Sequence, residues 1–288
     1  MTKLRPMSAD DVAGAEEAWA DAYETMRAGY GLPVDPRTPD SVARTRERIA
    51  HLLATDPGGS WVAEDDDGAV VGLSQAAVRE DLWVLSLLGV ASRCQGRGTG
   101  KALLDAALEY GREAPSGMIL CSRDPRAARR YFRAGFQLHP CVTARGAVDR
   151  RGLRPAPAVR AGDAADLDFV ADLDRRVRGA AHGPDLVQLL GEGCGLWVRE
   201  GRGFAVAREA KPVFLAAADE EAAVDLLHAC LGSAGRDEVV EVNWITAPQQ
   251  WALRVALDVG LELHPVGPLM IRGMAGPPFP YLPSGAFG

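Results

Sequence analysis

Leu82-Trp-Val-Leu-Ser-Leu-Leu-Gly-Val90-Ala-Ser-Arg-Cys-Gln95-Gly-Arg-Gly98-Thr-Gly100-Lys-Ala-Leu-Leu104 reads as a strand, a glycine-rich turn and the start of a helix. The run of large apolar residues ends at Val90. Three glycines in five positions then lead into an Ala/Leu-periodic segment that continues through Tyr110. Glycines let a backbone come close to a phosphate, and the free N–H groups and positive dipole end of the following helix favour negative charge. The stretch therefore predicts an anion-binding loop between a buried strand and a helix.

The spacing separates this loop from two common phosphate-binding motifs. A Walker A loop counted back from Gly100-Lys101 places Gln95 at the first glycine position and Ala102 at the Ser/Thr position. A dinucleotide fingerprint started at Gly96 or at Gly98 places its third glycine on Lys101 or Leu103. What the residues match is Gln/Arg-x-x-Gly-x-Gly/Ala, as Gln95-Gly-Arg-Gly98-Thr-Gly100. Further on, the short strand Met118-Ile-Leu-Cys121 precedes Asp124-Pro-Arg-Ala127-Ala-Arg-Arg-Tyr131-Phe-Arg-Ala-Gly135-Phe136. The two segments, in this order, resemble the paired motifs of the GNAT acyltransferases, whose second motif reads Asn-x-x-Ala-x-x-x-Tyr-x-x-x-Gly-Phe. Ala127, Tyr131, Gly135 and Phe136 match it, and Asp124 stands where the family has Asn.

The resemblance implies an α/β (α+β) fold with a mixed, mostly antiparallel sheet flanked by helices. It implies acetyl-CoA as acyl donor, its pyrophosphate on Gln95, Gly96, Arg97, Gly98, Thr99, Gly100 and Lys101. Backbone groups of Leu88, Gly89 and Val90 would pair with the pantetheine arm where the signature strand splays from its neighbour. Asp124 and Ala127 would lie along that arm. A carboxylate at 124 can only accept a hydrogen bond where an Asn both donates and accepts, so the resemblance implies a weaker or reoriented contact. Tyr131 would be the general acid that protonates the departing thiolate.

At 288 residues the chain has room for two such domains. No apolar run approaches the roughly 18 residues of a membrane span. The opening Met1-Thr-Lys-Leu-Arg-Pro6 lacks a signal-peptide core, so a cytoplasmic location is expected. Five cysteines with no Cys-x-x-Cys and no His pair at ligand spacing argue against a disulfide framework and against a metal site. A net charge of −7 disfavours a nucleic-acid surface and suits a cationic small molecule.

Upstream, the pattern predicts helices from about Ser8 to Met26 and Pro39 to Ala54. A strand at Trp61–Glu64, a turn at Asp65–Gly68 and a return strand at Ala69–Ala77 follow. A linker at 150–157 divides a first domain, 1–149, from a second, 158–275. The pattern then begins again: Val159-Arg-Ala-Gly-Asp-Ala-Ala-Asp-Leu167 echoes Leu4-Arg-Pro-Met-Ser-Ala-Asp-Asp-Val12, and Gly260-Leu-Glu-Leu-His264-Pro265 echoes Gly135-Phe-Gln-Leu-His139-Pro140. The repeat, at a spacing near 125, predicts tandem GNAT-like domains. The second has no glycine loop after Pro212–Ala216, and at the offset of Tyr131 it has Ala256. It reads as a degenerate copy serving packing, the substrate pocket or a homodimer contact. The proline-rich tail 276–288 either straps across a neighbouring surface or frays.

The reaction this implies is attack of a primary amine of a small molecule on the thioester, through a tetrahedral oxyanion, with release of CoA. No general base stands out. Glu80 and Asp81 at the strand entrance and Asp21 and Glu24 on the first helix are the nearby carboxylates, and a chain of waters is the other route. Cys94 lacks a His partner and is not a nucleophile candidate. The alternative from a different class is a CoA-binding regulatory protein without turnover.

Overall fold

The computed structural model describes residues 2–32, 34 and 36–288. Its contacts divide it into two compact units, one of residues up to 78 with 83–115, the other of 79–82 with 116–288.

The first unit runs β1 (Lys3–Pro6), α1 (Val12–Gly29), α2 (Pro39–Thr55), β2 (Ser60–Glu64), β3 (Val70–Arg79), β4 (Leu82–Val90) and α3 (Thr99–Tyr110). The strands lie in the order β1-β2-β3-β4. β1 pairs antiparallel with β2 (Lys3↔Glu64 to Pro6↔Trp61) and β2 with β3 (Ser60↔Gln75, Val62↔Leu73). Side-chain alternation sorts the two faces. Val62, Leu73 and Leu87 join Ala15 of α1 and Ile49 of α2 on one face. Ala63, Val90 and Cys94 join Leu103 of α3 on the other.

Local chemistry sets the element ends. α2 starts at Thr38, whose hydroxyl accepts the Ser41 N–H at 3.2 Å, with Pro39 in the first turn where a missing N–H does no harm. Asp56 ties three elements together: its carboxylate accepts the Val78 N–H at 3.0 Å and the Tyr110 hydroxyl at 2.9 Å. Beside it, a Cβ at Gly59 would lie 2.1 Å from the Ala76 carbonyl, so only glycine fits there.

The second unit runs β5 (Ser116–Leu120), α4 (Pro125–Arg133), β6 (Gln137–His139), β7 (Cys141–Ala147), β8 (Val159–Ala161), α5 (Leu167–Val177), α6 (Pro184–Gly191), β9 (Gly195–Arg199), β10 (Gly203–Arg208), β11 (Lys211–Ala217), α7 (Glu220–Gly232), β12 (Val239–Thr246), α8 (Gln250–Asp258), β13 (Glu262–Pro265), β14 (Leu269–Arg272) and β15 (Tyr281–Leu282). From β8 to β14 the order repeats that from β1 to β7. The repeat extends to side chains. Arg5 holds Asp11 through two bonds of 2.7 Å and also binds Glu64. Arg160 holds Asp166 at 2.8 and 2.6 Å and also binds Glu200. The spacing is 155 at these arginines and contracts to 125 by the histidines, because the second copy has shorter helices and loops.

The boundary expected at 150–157 does not separate the units. β7, before the linker, is the middle strand of β12-β7-β13, pairing Val240↔Gly146 and Leu263↔Ala144. β14, near the end of the second copy, is the middle strand of β5-β14-β6, pairing Met270↔Ile119 and Met270↔Leu138. The two copies have exchanged their last strands. Ala144 of β7 accordingly sits in one core with the buried face of α7, with Trp251 and Val255 of α8, and with Leu282. α7 buries Leu226, Leu227 and Leu231 completely, each stabilising by about 2 kcal/mol. The tail is not frayed: Tyr281, Leu282 and Phe287 are buried, and β15 extends the sheet β15-β11-β10-β9-β8.

Candidate active site

The glycine loop leaves β4 with the Ala91 N–H bonded to the Val71 carbonyl at 2.8 Å, passes a single 3-10 turn at Ser92–Cys94, and enters α3. The Gln95 amide closes the loop onto the Val90 carbonyl at 3.0 Å. Gly96 has φ +80° and Gly98, the N-cap of α3, φ +88°. Both are left-handed conformations that side chains disfavour. A Cβ at either position would meet nothing within 4 Å, so the glycines answer a backbone requirement and face open space. Among the described residues the N–H groups of Gly96, Gly98, Thr99 and Gly100 have no hydrogen-bond acceptor, while that of Arg97 closes the turn at 95–96. Unpaired backbone donors at a helix N-terminus favour an anion. The Thr99 hydroxyl bonds that of Thr2 at 2.9 Å, and Lys101 pairs with Asp105 one turn along α3 at 2.6 Å. That exposed ion pair is weak enough to exchange for a phosphate.

β4 carries an irregularity that the sequence pattern concealed. The Trp83 indole N–H donates to the Ala107 carbonyl of α3 at 2.9 Å, and Val90 also packs on the α3 side, against Leu103. Seven positions separate them, and strict alternation would put them on opposite faces. Leu87 and Gly89 face α1, with Trp19 3.4 Å from a Cβ built on Gly89. The alternation therefore breaks between residues 83 and 87, where the Ser86 Oγ is buried without a partner. Next to Gly89 the Trp19 and Tyr23 rings stack at 5.0 Å, with the Arg48 and Arg27 guanidinium groups 5.4 and 5.5 Å from their centroids.

The carboxylates near the strand entrance are engaged. Glu80, at φ +52°, pairs with Arg175 at 2.8 Å and accepts the Ala181 N–H at 3.5 Å. Asp21 accepts from the Ser92 N–H and hydroxyl and so holds the turn after β4. Neither is an idle base. Glu24 is half-buried on α1.

In the second unit, Asp124 is the N-cap of α4. Its carboxylate accepts the Arg126 N–H at 2.8 Å and takes the guanidinium at 2.7 Å. Partial burial pushes this carboxyl up, but the Arg126 bonds outweigh it and hold it below the usual range. A local role thus accounts for Asp at this position. Ala127 is half-buried in the first turn. Gly135 (φ +89°) ends α4, and the Phe136 N–H returns to the Tyr131 carbonyl at 3.1 Å, which explains the Gly-Phe of the motif as a helix stop. Tyr131 is 5% exposed. Burial, with Cys121 and Asp124 nearby, pushes its phenol well above the ordinary value, and burial pushes the Cys121 thiol up to about 12. Among the described residues nothing hydrogen-bonds the Tyr131 hydroxyl, which leaves a protonated donor without a partner.

The second copy keeps the helix stop, with Gly260 at φ +79° and the Leu261 N–H on the Ala256 carbonyl at 2.9 Å, but it has Ala256 at the offset of Tyr131 and no glycine loop before α7. Asp219 caps α7 by accepting the Ala222 N–H at 3.0 Å, and Arg202 binds Asp219 and Glu221. The helix N-terminus there already has its anion. Among the described residues there is no cluster that could hold a metal ion, and no helix is long and apolar enough to cross a membrane.

Residues 19–136 match the model of the Acetyltransferase (GNAT) family, which identifies that segment as a GNAT domain. A mycothiol acetyltransferase of Propionibacterium freudenreichii is 32% identical over 110 residues, a match that spans 35% of either chain. A candidate acetyltransferase from Pyrococcus horikoshii superposes over 100% of this chain and 96% of its own, with TM-score 0.78 at 19% identity. A tandem GNAT protein from the clavulanic acid biosynthesis pathway does so over 96% and 100%, with TM-score 0.60 at 16% identity. These two establish the fold, including its tandem character.

Proposed function

We propose that the protein is an acetyl-CoA-dependent N-acetyltransferase acting on a primary amine of a small molecule. The observation that carries this reading is the set of unpaired amides of Gly96, Gly98, Thr99 and Gly100 at the start of α3, and the use of acetyl-CoA by the GNAT family accords with it. The loop holds the pyrophosphate through main-chain N–H groups, with Arg97 and Lys101 adding charge. Leu88, Gly89 and Val90, beyond the break in β4, offer backbone groups to the pantetheine arm, and the family resemblance assigns Asp124 and Ala127 to the same arm.

The neutral amine attacks the thioester carbonyl. Its surplus proton leaves through water, since Glu80 and Asp21 are committed elsewhere. The tetrahedral intermediate collapses to the amide, and the thiolate takes its proton from Tyr131, which burial keeps protonated throughout the working range. The aromatic pair Trp19 and Tyr23, flanked by Arg27 and Arg48, suits an amino-acid derivative better than a polycation.

Tyr131→Phe tests the role. The variant is expected to lose on the order of 10²-fold in kcat with acetyl-CoA affinity nearly intact. An unchanged kcat removes Tyr131 from the mechanism. Retained acetyl-CoA binding with no acetylation across an amine panel points to a binding protein without turnover.

A further inference from the structure

The second copy has no anion cradle, yet its central cleft is filled. In the first copy's order β11 takes the place of β4 and β12 that of the following strand. Here β11 and β12 belong to different sheets, and β15 lies along the free edge of β11. The pairing is antiparallel, Leu215↔Leu282 and Ala216↔Tyr281, and the Ala217 N–H donates to the Pro280 carbonyl at 3.2 Å.

The offset of 125 that carries Gly135 to Gly260 and His139 to His264 carries Asp124 to Gln249. Gln249 precedes α8 as Asp124 precedes α4, and it is 1% exposed. Its side-chain NH2 donates to the Pro278 carbonyl at 2.8 Å, and its side-chain oxygen accepts the Tyr281 N–H at 3.2 Å and the Trp251 indole N–H at 2.8 Å. One buried amide thus reads a backbone acceptor and a backbone donor of the same extended segment. Beyond it the chain turns on itself through paired Ser284 and Gly288 backbone bonds of 3.0 Å. Arg178 donates to the Phe287 carbonyl at 2.6 Å and the Tyr281 hydroxyl to the Gly288 carbonyl at 2.8 Å. A Cβ at Gly285 would lie 2.6 Å from the Trp244 ring, so this part of the segment fits its surroundings only with glycine there.

We infer that the cleft of the second copy is a groove for an extended peptide and that Pro278–Gly288 is its resident ligand, lying along β11 and Gln249 where the first copy would take the amide-bearing arm of acetyl-CoA along β4 and Asp124. The comparison with the arm rests on the function proposed above; the groove and its occupant do not. Strand-edge pairing supplies affinity and the Gln249 amide fixes register, the means by which sheet edges capture peptides. The second copy is then closed to a cofactor by its occupant as well as by Asp219.

The test uses the full chain with a protease site inserted between Ala275 and Gly276, in an exposed bend. After cleavage the tail is expected to co-elute with the body and to exchange saturably with a labelled synthetic peptide of the sequence Pro278–Gly288. Gln249→Ala should weaken that peptide by about tenfold or more, since two hydrogen bonds are lost. Absence of saturable exchange, exchange indifferent to Gln249→Ala, or collapse of the body on cleavage overturns the inference. Hydrogen exchange on the uncut chain gives a second reading. The Tyr281 and Ala217 amides should open together, ahead of those shared by β9 and β10, and faster in Gln249→Ala. Exchange of all of them only through global unfolding contradicts a ligand-like tail. Neither readout involves acetyl-CoA, so failure of the acetyltransferase reading leaves both interpretable.

Discussion

Gly98→Ala separates the two demands on the glycine loop. At φ +88° an alanine carries a left-handed strain of about 1–2 kcal/mol, while its Cβ meets nothing within 4 Å. The fold should therefore survive with a loss of that size. Binding should suffer more, because the methyl group projects into the open space in front of the cradle, or the loop relaxes and turns its amides away. Losing one charge-assisted hydrogen bond to a phosphate, at about 1.5–3 kcal/mol, weakens acetyl-CoA on the order of 10- to 100-fold. Gly68→Ala is the control: φ +80°, equally open, and in the β2–β3 turn. It should show the same stability loss in urea unfolding and unchanged affinity by calorimetry. If Gly98→Ala loses stability like Gly68→Ala and binds acetyl-CoA as tightly as the parent, the amides from 96 to 100 do not hold the pyrophosphate.

Three other outcomes are expected. Asp185→Ala removes the carboxylate that takes Arg79 at 2.8 and 2.7 Å, in a pair whose side chains are 7% and 1% exposed. Breaking such a buried pair from one side should lower stability by about 3–5 kcal/mol in urea unfolding, and a loss under 1 kcal/mol argues that water replaces the partner. The Arg5 hydrogen bonds hold Asp11 at about 2, and those of Arg160 hold Asp166 at about 2. Depressed carboxyls stabilise the fold above their unfolded values near 4, and that contribution disappears as pH falls through about 2. Urea midpoints should drop between pH 4 and 2, and less steeply in Arg5→Ala. The acid role proposed for Tyr131 needs a protonated phenol, and burial raises that phenol, so kcat should show no descending limb up to pH 10. A limb near 9 that vanishes in Tyr131→Phe contradicts the assignment.

The tight turn from β4 into α3 was legible because glycine is nearly alone in tolerating positive φ, as Gly96 and Gly98 do. The first two helices, α3 and the β2–β3–β4 meander followed from periodicity and capping. The exchange of β7 and β14 was not legible. Both are short strands, and nothing in Cys141–Ala147 or Leu269–Arg272 states which sheet edge each will join. The partner of Glu80 lies 95 positions away on α5, beyond any local pattern. The break in β4 hid within a uniformly apolar run, where alternation has no polar marker. The tail could have been found by its apolar content: Phe279, Tyr281, Leu282 and Phe287 are too many large side chains for a frayed end.

Titration of the intact protein with acetyl-CoA in a calorimeter, read for stoichiometry, tests the central claim most directly. One site per chain, abolished by Gly98→Glu, is the expected result. Two sites would contradict the closed second copy, and no binding would contradict the cradle at the start of α3.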